Sequence, residues 1–470
     1  MHLSLDRLAN VTGFGMTAGA DGYLYRPTQV EEFHQILALA QQTGRQISLR
    51  GSGRSYGDAN IGSESILLDI TRFNRILDFD PTTGLIYCEA GVTLEQLWRY
   101  TLESGFWPPV VSGTMFPTLG GALGMNLHGK NAFKAGPIGN HVTEIEVLFP
   151  NGNQETLTPE HPLFHQVIST AGLLGIILRV KLKMKRISSG DLRVLPISIP
   201  NWDGQFRVFE QEREQADYMV SWIDCFGRGK SAGRGLFHAG YYTVDPSPNP
   251  ITLRPEHQDL PDTILTYFPK SIVWRFLKKL NNRPGMSFVN WAKYTSSRIL
   301  GNGRPHPQSL VGFSFLLDYV PNWRLAYGSS GFIQYQTFVP AEHAPRVFAR
   351  QLELQQAAKL ESFLGVMKRH IPDNFLFSHA VDGYSLALDF KITERNKDAV
   401  WRLAHQMNEL VLLAGGRFYL AKDSTLTPEH FAQSIGMDAL ETYAKLKTTL
   451  DPQAILTSDL AKRLHLDPRA

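Results

Sequence analysis

The chain contains two glycine-rich segments, Arg50-Gly-Ser-Gly-Arg-Ser-Tyr-Gly-Asp58 and Ser112-Gly-Thr-Met-Phe-Pro-Thr-Leu-Gly-Gly-Ala-Leu-Gly-Met-Asn-Leu-His-Gly-Lys-Asn131. Glycine has no side chain, so the backbone N–H groups of such segments can approach a ligand closely, and convergent N–H groups bind phosphate oxygens. We therefore predict that the two segments grip a dinucleotide pyrophosphate from both sides, without a helix dipole or a metal. Taken alone, the first segment is also compatible with a simple tight turn.

The first segment does not match the usual nucleotide-binding loops. Tyr56 stands where a G-x-G-x-x-G loop needs its third glycine, and no apolar helical periodicity follows. A phosphate-binding loop of the Gly-Lys-[Ser/Thr] type is also absent from this segment. We therefore expect no nicotinamide cofactor at this position.

Length and composition indicate a globular protein with more than one domain. The 470 residues are 43% hydrophobic and 19% charged. A net charge of +3 from 47 basic and 44 acidic residues predicts no nucleic-acid partner. The two cysteines, Cys88 and Cys225, support neither a disulfide framework nor a cysteine metal site, and we expect no metal.

Hydropathy predicts neither a signal peptide nor a transmembrane helix. The first residues lack an uninterrupted apolar stretch, and no later segment has the roughly 18 apolar residues that a spanning helix needs. We therefore expect a protein that is cytoplasmic or peripherally associated with a membrane.

Residue periodicity predicts an α+β fold. In the first part of the chain we expect helices over 28–43 and from Thr93 to Gly105, and strands over 47–50, 65–70, 85–90, 144–149, 154–157 and 175–184. In the later part we expect strands over 331–339, 384–392 and 417–421, and helices over 345–361, 396–413 and 428–447. The later alternation indicates an antiparallel or mixed sheet covered on one face by helices.

The segment 226–307 is rich in Gly, Pro, Ser and Asn and predicts few regular elements. Its length is typical of a lid, a binding loop or a partly disordered region. Within it, residues 270–283 form a basic amphipathic helix candidate, which either packs on its domain or contacts a membrane surface.

The order of these motifs resembles the FAD-binding domain of the vanillyl-alcohol oxidase and p-cresol methylhydroxylase (PCMH) superfamily. Within it, the chain is most similar to the decaprenylphosphoryl-β-D-ribose 2-oxidase family. Besides the two glycine segments, the likeness covers 140–142, 331–336, 388–390, 415–424 and 458–463. It implies a PCMH-type FAD-binding domain at 1–190, completed by 415–470. A substrate-binding domain is expected at 191–414, with the long loop region near 226–307.

The resemblance implies that FAD is the cofactor. The cofactor-binding positions are Arg50, Gly51, Ser52, Gly53, Arg54, Ser55, Tyr56, Gly57, Gly113, Thr114, Thr118, Gly120, Gly121, Ala122, Asn126, His128, Gly129, Asn131, Gly175, Ile177, Tyr419 and Lys422. Many relatives carry a histidine in the first loop that bonds to the flavin. Arg54 occupies that position here, so the resemblance implies non-covalent FAD.

Oxidation of an alcohol by a flavin requires a group that takes the hydroxyl proton while hydride leaves the carbon. In the resembled family the positions matching His128, Lys130 and Lys422 line the flavin face. Lys422 is the first candidate for handling the proton or for holding negative charge on the reduced flavin. His128 is the second candidate, and Tyr56 is the third.

Substrate contacts are expected along two strands. Gln334 and Gln336 share one strand face, because side chains alternate along a strand, and their amides suit sugar hydroxyls. From the pattern alone, that face is equally compatible with a polar surface. Together with the family match, the expected substrate residues are Lys130, Trp222, Gln334, Gln336, Lys368, Ser385 and Ala387.

Two of these positions carry further expectations. Lys368 either meets a lipid-linked phosphate or is an ordinary basic strand end. Mycobacterial members of the resembled family have cysteine where Ala387 stands, so thiol-directed covalent inhibition should fail here.

The resemblance implies oxidation of the 2-hydroxyl of a polyprenylphosphoryl ribose to the 2-keto sugar, the first half of an epimerisation to arabinose. It further implies a separate NAD(P)H-dependent keto-reductase, a quinone-type electron acceptor and contact with a membrane surface. The alternatives are a soluble sugar, alditol or aldonolactone oxidase of the same superfamily, and a non-catalytic flavin- or sugar-lipid-binding protein.

Overall fold

The computed structural model describes residues 3–247, 250–264 and 268–469. These residues form an α+β fold, as predicted. A first sheet has the strand order Leu8–Thr12, Gly19–Tyr25, Ile66–Asp69, Ile47–Arg50 and Leu456–Thr457, in which only the first pair is antiparallel. A second, antiparallel sheet has the order Ile76–Asp80, Leu85–Glu89, Ile176–Lys183, Val142–Leu148 and Gln154–Leu157.

The largest sheet is antiparallel and has eight strands. Their order is His306–Ser309, Asp191–Ile199, Gly235–Tyr242, Tyr218–Ile223, Gly365–His370, Gly383–Lys391, Phe332–Pro340 and Arg417–Phe418. Because side chains alternate along its strands, one face of the sheet packs against an apolar core and the other lines a cavity. Ile333 and Tyr335 join the apolar core under the helices, whereas Gln334 and Gln336 line a cavity on the other face.

Two-stranded pairs are formed by Phe106–Trp107 with Lys185–Arg186 and by Thr263–Ile264 with Phe268–Pro269. The α-helices are Val30–Thr43, Leu94–Thr101, Leu119–Gly124, Ala132–Ala135, Phe164–Val167, Trp202–Glu212, Pro255–Gln258, Lys270–Leu280, Arg283–Leu300, Leu310–Ser314, Ala344–Ala358, Lys397–Leu413, Pro428–Ile435, Met437–Leu450 and Asp459–Arg463. Local sequence explains several ends. Thr93 and Gln96 form a reciprocal capping box, and Gly44 ends the first helix with φ 65°.

The segment 226–307 contains more regular structure than its composition indicates. It supplies the strand 235–242 of the large sheet, the short helix Pro255–Gln258 and two longer helices. The predicted helix over 270–283 ends at Leu280. Asn282 then caps a second helix, because its side chain accepts a hydrogen bond from Gly285 N–H and Pro284 suits the first turn.

Two predictions near the C-terminus were too long. The strand expected over 417–421 covers only Arg417–Phe418, and it belongs to the eight-stranded sheet. The helix expected over 428–447 is interrupted at Gly436, whose φ of 86° separates two helices.

The end of the chain joins both large apolar cores. Leu456 lies in the core of the first part of the chain, and Tyr443 and Leu460 lie in the core under the eight-stranded sheet. Because both cores draw residues from either side of the predicted boundaries, the division at 190 and 415 stays a prediction. In the described ranges no helix is long and apolar enough to cross a membrane.

Candidate active site

A cavity of about 1020 Å³ lies between the glycine segments and the eight-stranded sheet. Its volume reaches the upper end of the range of about 300–1,000 Å³ that is usual for ligand pockets. The glycine segments form one side, and strands 218–223, 332–340, 365–370 and 383–391 contribute residues to the other. The cavity therefore places the sequence-predicted cofactor and substrate residues around one space.

The first glycine segment presents unpaired backbone donors to this cavity. Two of its carbonyl groups accept backbone hydrogen bonds: Ser55 O accepts from Phe14 N–H at 2.8 Å, and Tyr56 O accepts from Gly15 N–H at 3.0 Å. In contrast, the N–H groups of residues 52–55 donate to no protein acceptor in the described part of the chain. A row of such donors is suited to an anion.

The two glycine segments touch each other. A Cβ on Gly51 would lie 2.3 Å from Thr118 Oγ1, so only glycine fits there. The second segment opens a short helix, Leu119–Gly124. The first three N–H groups of this helix donate to Val92 O, Ala90 O and Thr118 Oγ1, so they are not available to a phosphate.

The charge on the cavity wall is strongly positive. Asp318 is the only carboxylate among the described residues of the wall. The cations there form two groups. Near the first glycine segment lie Arg50, Arg54 and Arg324; near the sheet lie Lys130, Lys293, Lys368 and Lys422.

Arg54 lies on the wall of the cavity. Its guanidinium lies 4.7 Å from the ring centroid of Phe116 and 5.3 Å from that of Phe14. Its Nε has no hydrogen-bond partner, and burial lowers its pKa. A partly buried guanidinium with an unpaired Nε–H is suited to an anionic ligand.

Lys422 is the centre of a buried polar cluster. Its Nζ lies 3.5 Å from the ring centroid of Tyr56. Burial lowers the pKa of Lys422 to about 7, with Asp389 opposing the shift, and burial raises the pKa of Asp389 to about 7. Gln334 Nε2 donates to Asp389 Oδ1 at 2.6 Å, and Tyr327 OH donates to Asp389 Oδ2 at 3.4 Å. The amine is therefore poised to exchange a proton near neutral pH.

The first glycine segment fixes the position of Lys422. Tyr56 N–H donates to Ala421 O at 2.8 Å, and a Cβ on Gly57 would lie 2.1 Å from Asp423 O. Arg463 links the first glycine segment to the Lys422 segment: its Nε donates to Asp58 at 2.7 Å, and its Nη2 donates to Asp423 at 2.8 Å. The Ala-Lys-Asp-Ser motif is thus held against the cofactor loop.

His128 is buried at the edge of the same site. Its Nε2 lies 3.1 Å from Gln336 Nε2, and its Nδ1 has no partner. Burial, followed by the charge of Lys368, holds the pKa of His128 well below its ordinary value. His128 is therefore neutral at pH 7, which suits hydrogen bonding to a ligand better than carrying charge.

Lys130, Lys368 and Lys293 continue the wall away from Lys422. Lys130 Nζ donates to the carbonyls of Phe313 and Ser314, and burial lowers its pKa to about 7. Burial also lowers the pKa of Lys368 to about 8. Lys293 is accessible on the wall, with its Nζ 4.3 Å from the ring centroid of Trp222.

The structure brings most of the predicted site residues onto the wall. Five predicted residues lie behind it: Gly57, Asn126, Gly129, Asn131 and Ser385. Asn126 accepts from Gly139 N–H, and Asn131 donates to Pro109 O, so both fix the second glycine segment. A Cβ on Gly129 would lie 2.7 Å from Val111 O. Ser385 Oγ lies 2.7 Å from His370 Nε2 and is fully buried.

Sequence reasoning missed several residues of the wall, namely His238, Lys293, Asp318, Trp323 and Arg324. Lys293 and His238 come from the segment that predicted few regular elements. Asp318 accepts hydrogen bonds from Thr114 Oγ1 and Met115 N–H, at 2.7 Å each, and burial raises its pKa to about 6. It thus anchors the second glycine segment, and no sequence motif predicts that contact.

Comparison with known proteins identifies the family. The family model described as an FAD binding domain matches residues 22–158. The decaprenylphosphoryl-beta-D-ribose oxidase of Mycolicibacterium smegmatis is 31% identical over 470 residues, which cover 97% of each chain. This chain belongs to the decaprenylphosphoryl-β-D-ribose oxidase family. It is an FAD-dependent oxidoreductase, and FAD is its cofactor.

Other relatives match only a part of this chain. A putative D-arabinono-1,4-lactone oxidase of Neurospora crassa is 30% identical over 42% of this chain and 35% of its own length. The L-gulonolactone oxidase of Bos taurus is 28% identical over 34% of this chain and 36% of its own length.

The residues of the cavity fit FAD. The unpaired N–H groups of residues 52–55 and the guanidinium of Arg54 suit the two negative charges of a pyrophosphate. The tight contact of Gly51 with Thr118 brings both glycine segments to the same part of the cavity. The lysine side of the cavity is left for a second molecule.

Proposed function

We propose that this protein oxidises the 2-hydroxyl of a polyprenylphosphoryl ribose to the 2-keto sugar, the first half of an epimerisation to arabinose. The name of the relative that matches 97% of the chain supports this substrate class. The charge of the cavity supports it independently.

The observation that carries the proposal is the second group of cations. Lys130, Lys293 and Lys368 line the sheet side of the cavity, apart from the arginines near the first glycine segment. None of these three lysines makes a salt bridge to a described carboxylate. Cations that have no carboxylate partner are stabilised by an anionic ligand. A sugar phosphate supplies that charge, whereas free sugars, alditols and aldonolactones do not.

The reaction breaks the C2–H bond and the O–H bond of the 2-hydroxyl. Bound FAD supplies an acceptor, at its N5, for the hydride that leaves C2. The hydroxyl proton passes to Lys422 Nζ, which is partly neutral at pH 7 because its pKa is about 7. The amides of Gln334 and Gln336 orient the sugar hydroxyls, and neutral His128 contributes a further hydrogen-bonding group.

Three further features complete the proposal. FAD is held non-covalently, because Arg54 replaces the linking histidine and residues 50–58 contain no histidine or cysteine. A separate NAD(P)H-dependent reductase returns the keto group with the opposite configuration, and a quinone-type acceptor reoxidises the flavin. Denaturation with acid tests the first feature: it should leave a colourless pellet and a yellow supernatant, and a yellow pellet would contradict it.

The substrate is tested by anaerobic reduction of the flavin. We expect a prenylphosphoryl ribose to bleach the flavin absorbance rapidly, and free ribose, alditols and aldonolactones to leave it unchanged. Bleaching by free polyols but not by the prenylphosphoryl sugar would favour the soluble-sugar or lactone oxidase. A flavin that no sugar or sugar-lipid reduces would favour the non-catalytic binding protein.

A further inference from the structure

The paired helices Lys270–Leu280 and Arg283–Leu300 leave large apolar side chains in solvent. On the second helix, Phe288 is 62% exposed and Trp291 is 52% exposed, and their ring centroids lie 6.0 Å apart. Ile299 extends the same stripe, because positions 288, 291 and 299 fall on one side of a helix with 3.6 residues per turn. On the first helix, Phe276 and Leu280 are exposed at a spacing of one turn.

The same helices are strongly basic. Residues 270–300 contain seven lysines and arginines and no aspartate or glutamate, although the whole chain has 47 basic and 44 acidic residues. The rest of the chain is therefore net acidic. Arg275, Lys278, Lys279 and Arg298 are exposed, and none forms a salt bridge with another described residue.

The pair of helices lies beside the opening of the cavity. Lys270 Nζ lies 3.5 Å from the ring centroid of Tyr319, an exposed residue that also lines the cavity. On the second helix, Lys293 reaches the cavity wall, while the stripe with Phe288 and Trp291 is exposed. One helix thus presents a cation to the substrate side of the cavity and an apolar stripe to its surroundings.

We propose that the helical pair 270–300 is a docking surface for an anionic lipid bilayer, which sets the cavity opening against the membrane surface. Aromatic and aliphatic side chains next to unpaired lysines and arginines are the composition of helices that lie in a membrane interface. A second protein copy or an apolar protein partner would not account for the excess positive charge, whereas anionic lipid headgroups do. Docking does not depend on which sugar the enzyme oxidises.

The proposal is tested with purified holoenzyme and sedimented vesicles. We expect binding to phosphatidylcholine–phosphatidylglycerol vesicles, weakening with salt, and little binding to phosphatidylcholine alone. Each cation near an anionic membrane contributes about 1 kcal/mol, so the double variant Lys278→Gln/Lys279→Gln should partition about 30-fold more weakly. The control Lys230→Gln/Lys445→Gln, which removes two exposed lysines elsewhere, should bind as the wild type does.

A second pair of variants tests the apolar stripe. Phe288→Ser/Trp291→Ser should lose vesicle binding, and Leu413→Ser/Met437→Ser should keep it, although Leu413 is 83% exposed. An unchanged flavin spectrum shows that each variant is folded. Wild-type protein that does not bind anionic vesicles would overturn the proposal. So would helix variants that bind normally, or a wild-type dimer that the Phe288→Ser/Trp291→Ser change converts to monomer.

Flavin reduction separates this proposal from the proposed function. A water-soluble, short-chain prenylphosphoryl ribose should reduce the flavin of Phe288→Ser/Trp291→Ser at the wild-type rate, because neither side chain lines the cavity. Normal reduction without vesicle binding by the wild type would reject docking and leave the reaction intact. Vesicle binding without reduction by any prenylphosphoryl sugar would reject the reaction and leave docking intact.

Discussion

The rate of flavin reduction should depend on the protonation of Lys422. Burial at the cavity wall, against the ring of Tyr56, lowers the pKa of this amine from 10.5 to about 7, although Asp389 opposes the shift. An amine accepts a proton only when neutral, so the rate should rise as pH increases through about 7 and then level off. The unperturbed amine would instead need a pH above 10.

The size of the effect follows from the shift. At pH 8 an amine with a pKa of 7 is neutral in about nine molecules of ten, whereas one with a pKa of 10.5 is neutral in about one of 300. Burial therefore enriches the reactive form of Lys422 about 300-fold. Removal of a positioned proton acceptor costs about 10²–10⁴-fold in rate. We expect that loss for Lys422→Ala and for Lys422→Arg, which remains charged.

The assay is anaerobic stopped-flow reduction of bound FAD by a prenylphosphoryl ribose between pH 6 and 9. Asp389→Asn provides a second check. The carboxylate raises the pKa of Lys422, so its removal should move the rising limb to lower pH. Because the two groups interact, the profile reports apparent values that belong to the pair. Reduction by Lys422→Ala at the wild-type rate, with FAD retained, would refute the assignment.

Three further changes have expected outcomes. Gly57→Ala should slow flavin reduction by displacing the Lys422 segment, whereas Gly301→Ala, whose Cβ would meet only an atom at 3.5 Å, should not. Thiol-directed inhibitors should form no adduct with the wild type, because both cysteines are buried, and Ala387→Cys should create a reactive position on the cavity wall, both read by intact mass. Lys447→Met should lower the free energy of unfolding in urea by about 3–5 kcal/mol, because it leaves the carboxylate of Asp451 buried without its cation.

Each of these three predictions has a result that would contradict it. Equal rates for the two glycine variants would show that the first glycine segment does not position the lysine. An adduct on the wild-type protein would place an accessible thiol in the cavity. A loss below about 1 kcal/mol for Lys447→Met would show that the buried pair is not needed for stability, whereas Lys447→Met/Asp451→Asn should recover part of the loss.

Local sequence predicted the elements whose ends carry their own signals. The helices Val30–Thr43 and Leu94–Thr101 have capping side chains, and turn residues bound the strands Val142–Leu148 and Phe332–Pro340. The glycine segments and the Ala-Lys-Asp-Ser motif located the site, because their residues must meet backbone or cofactor closely. Gly51 and Gly57 illustrate this, since neither leaves room for a Cβ.

The rest depended on contacts between distant parts of the chain. Ser385 shares a strand face with Ala387, but Ser385 is covered because it pairs with Phe338 and contacts His370, so period two alone could not place it. Lys293 reaches the cavity only through the packing of a helix in a segment rich in glycine and proline. The position of Asp318 is likewise decided by the fold, which brings it to the second glycine segment.

The central claim is that hydride leaves C2 of a prenylphosphoryl ribose. It is tested most directly by single-turnover reduction of the flavin with substrate deuterated at C2. We predict that deuterium slows flavin bleaching and that the product, read by mass spectrometry, has lost the deuterium and one further hydrogen as the 2-keto sugar. Bleaching at an unchanged rate with deuterium retained in the product would contradict oxidation at C2.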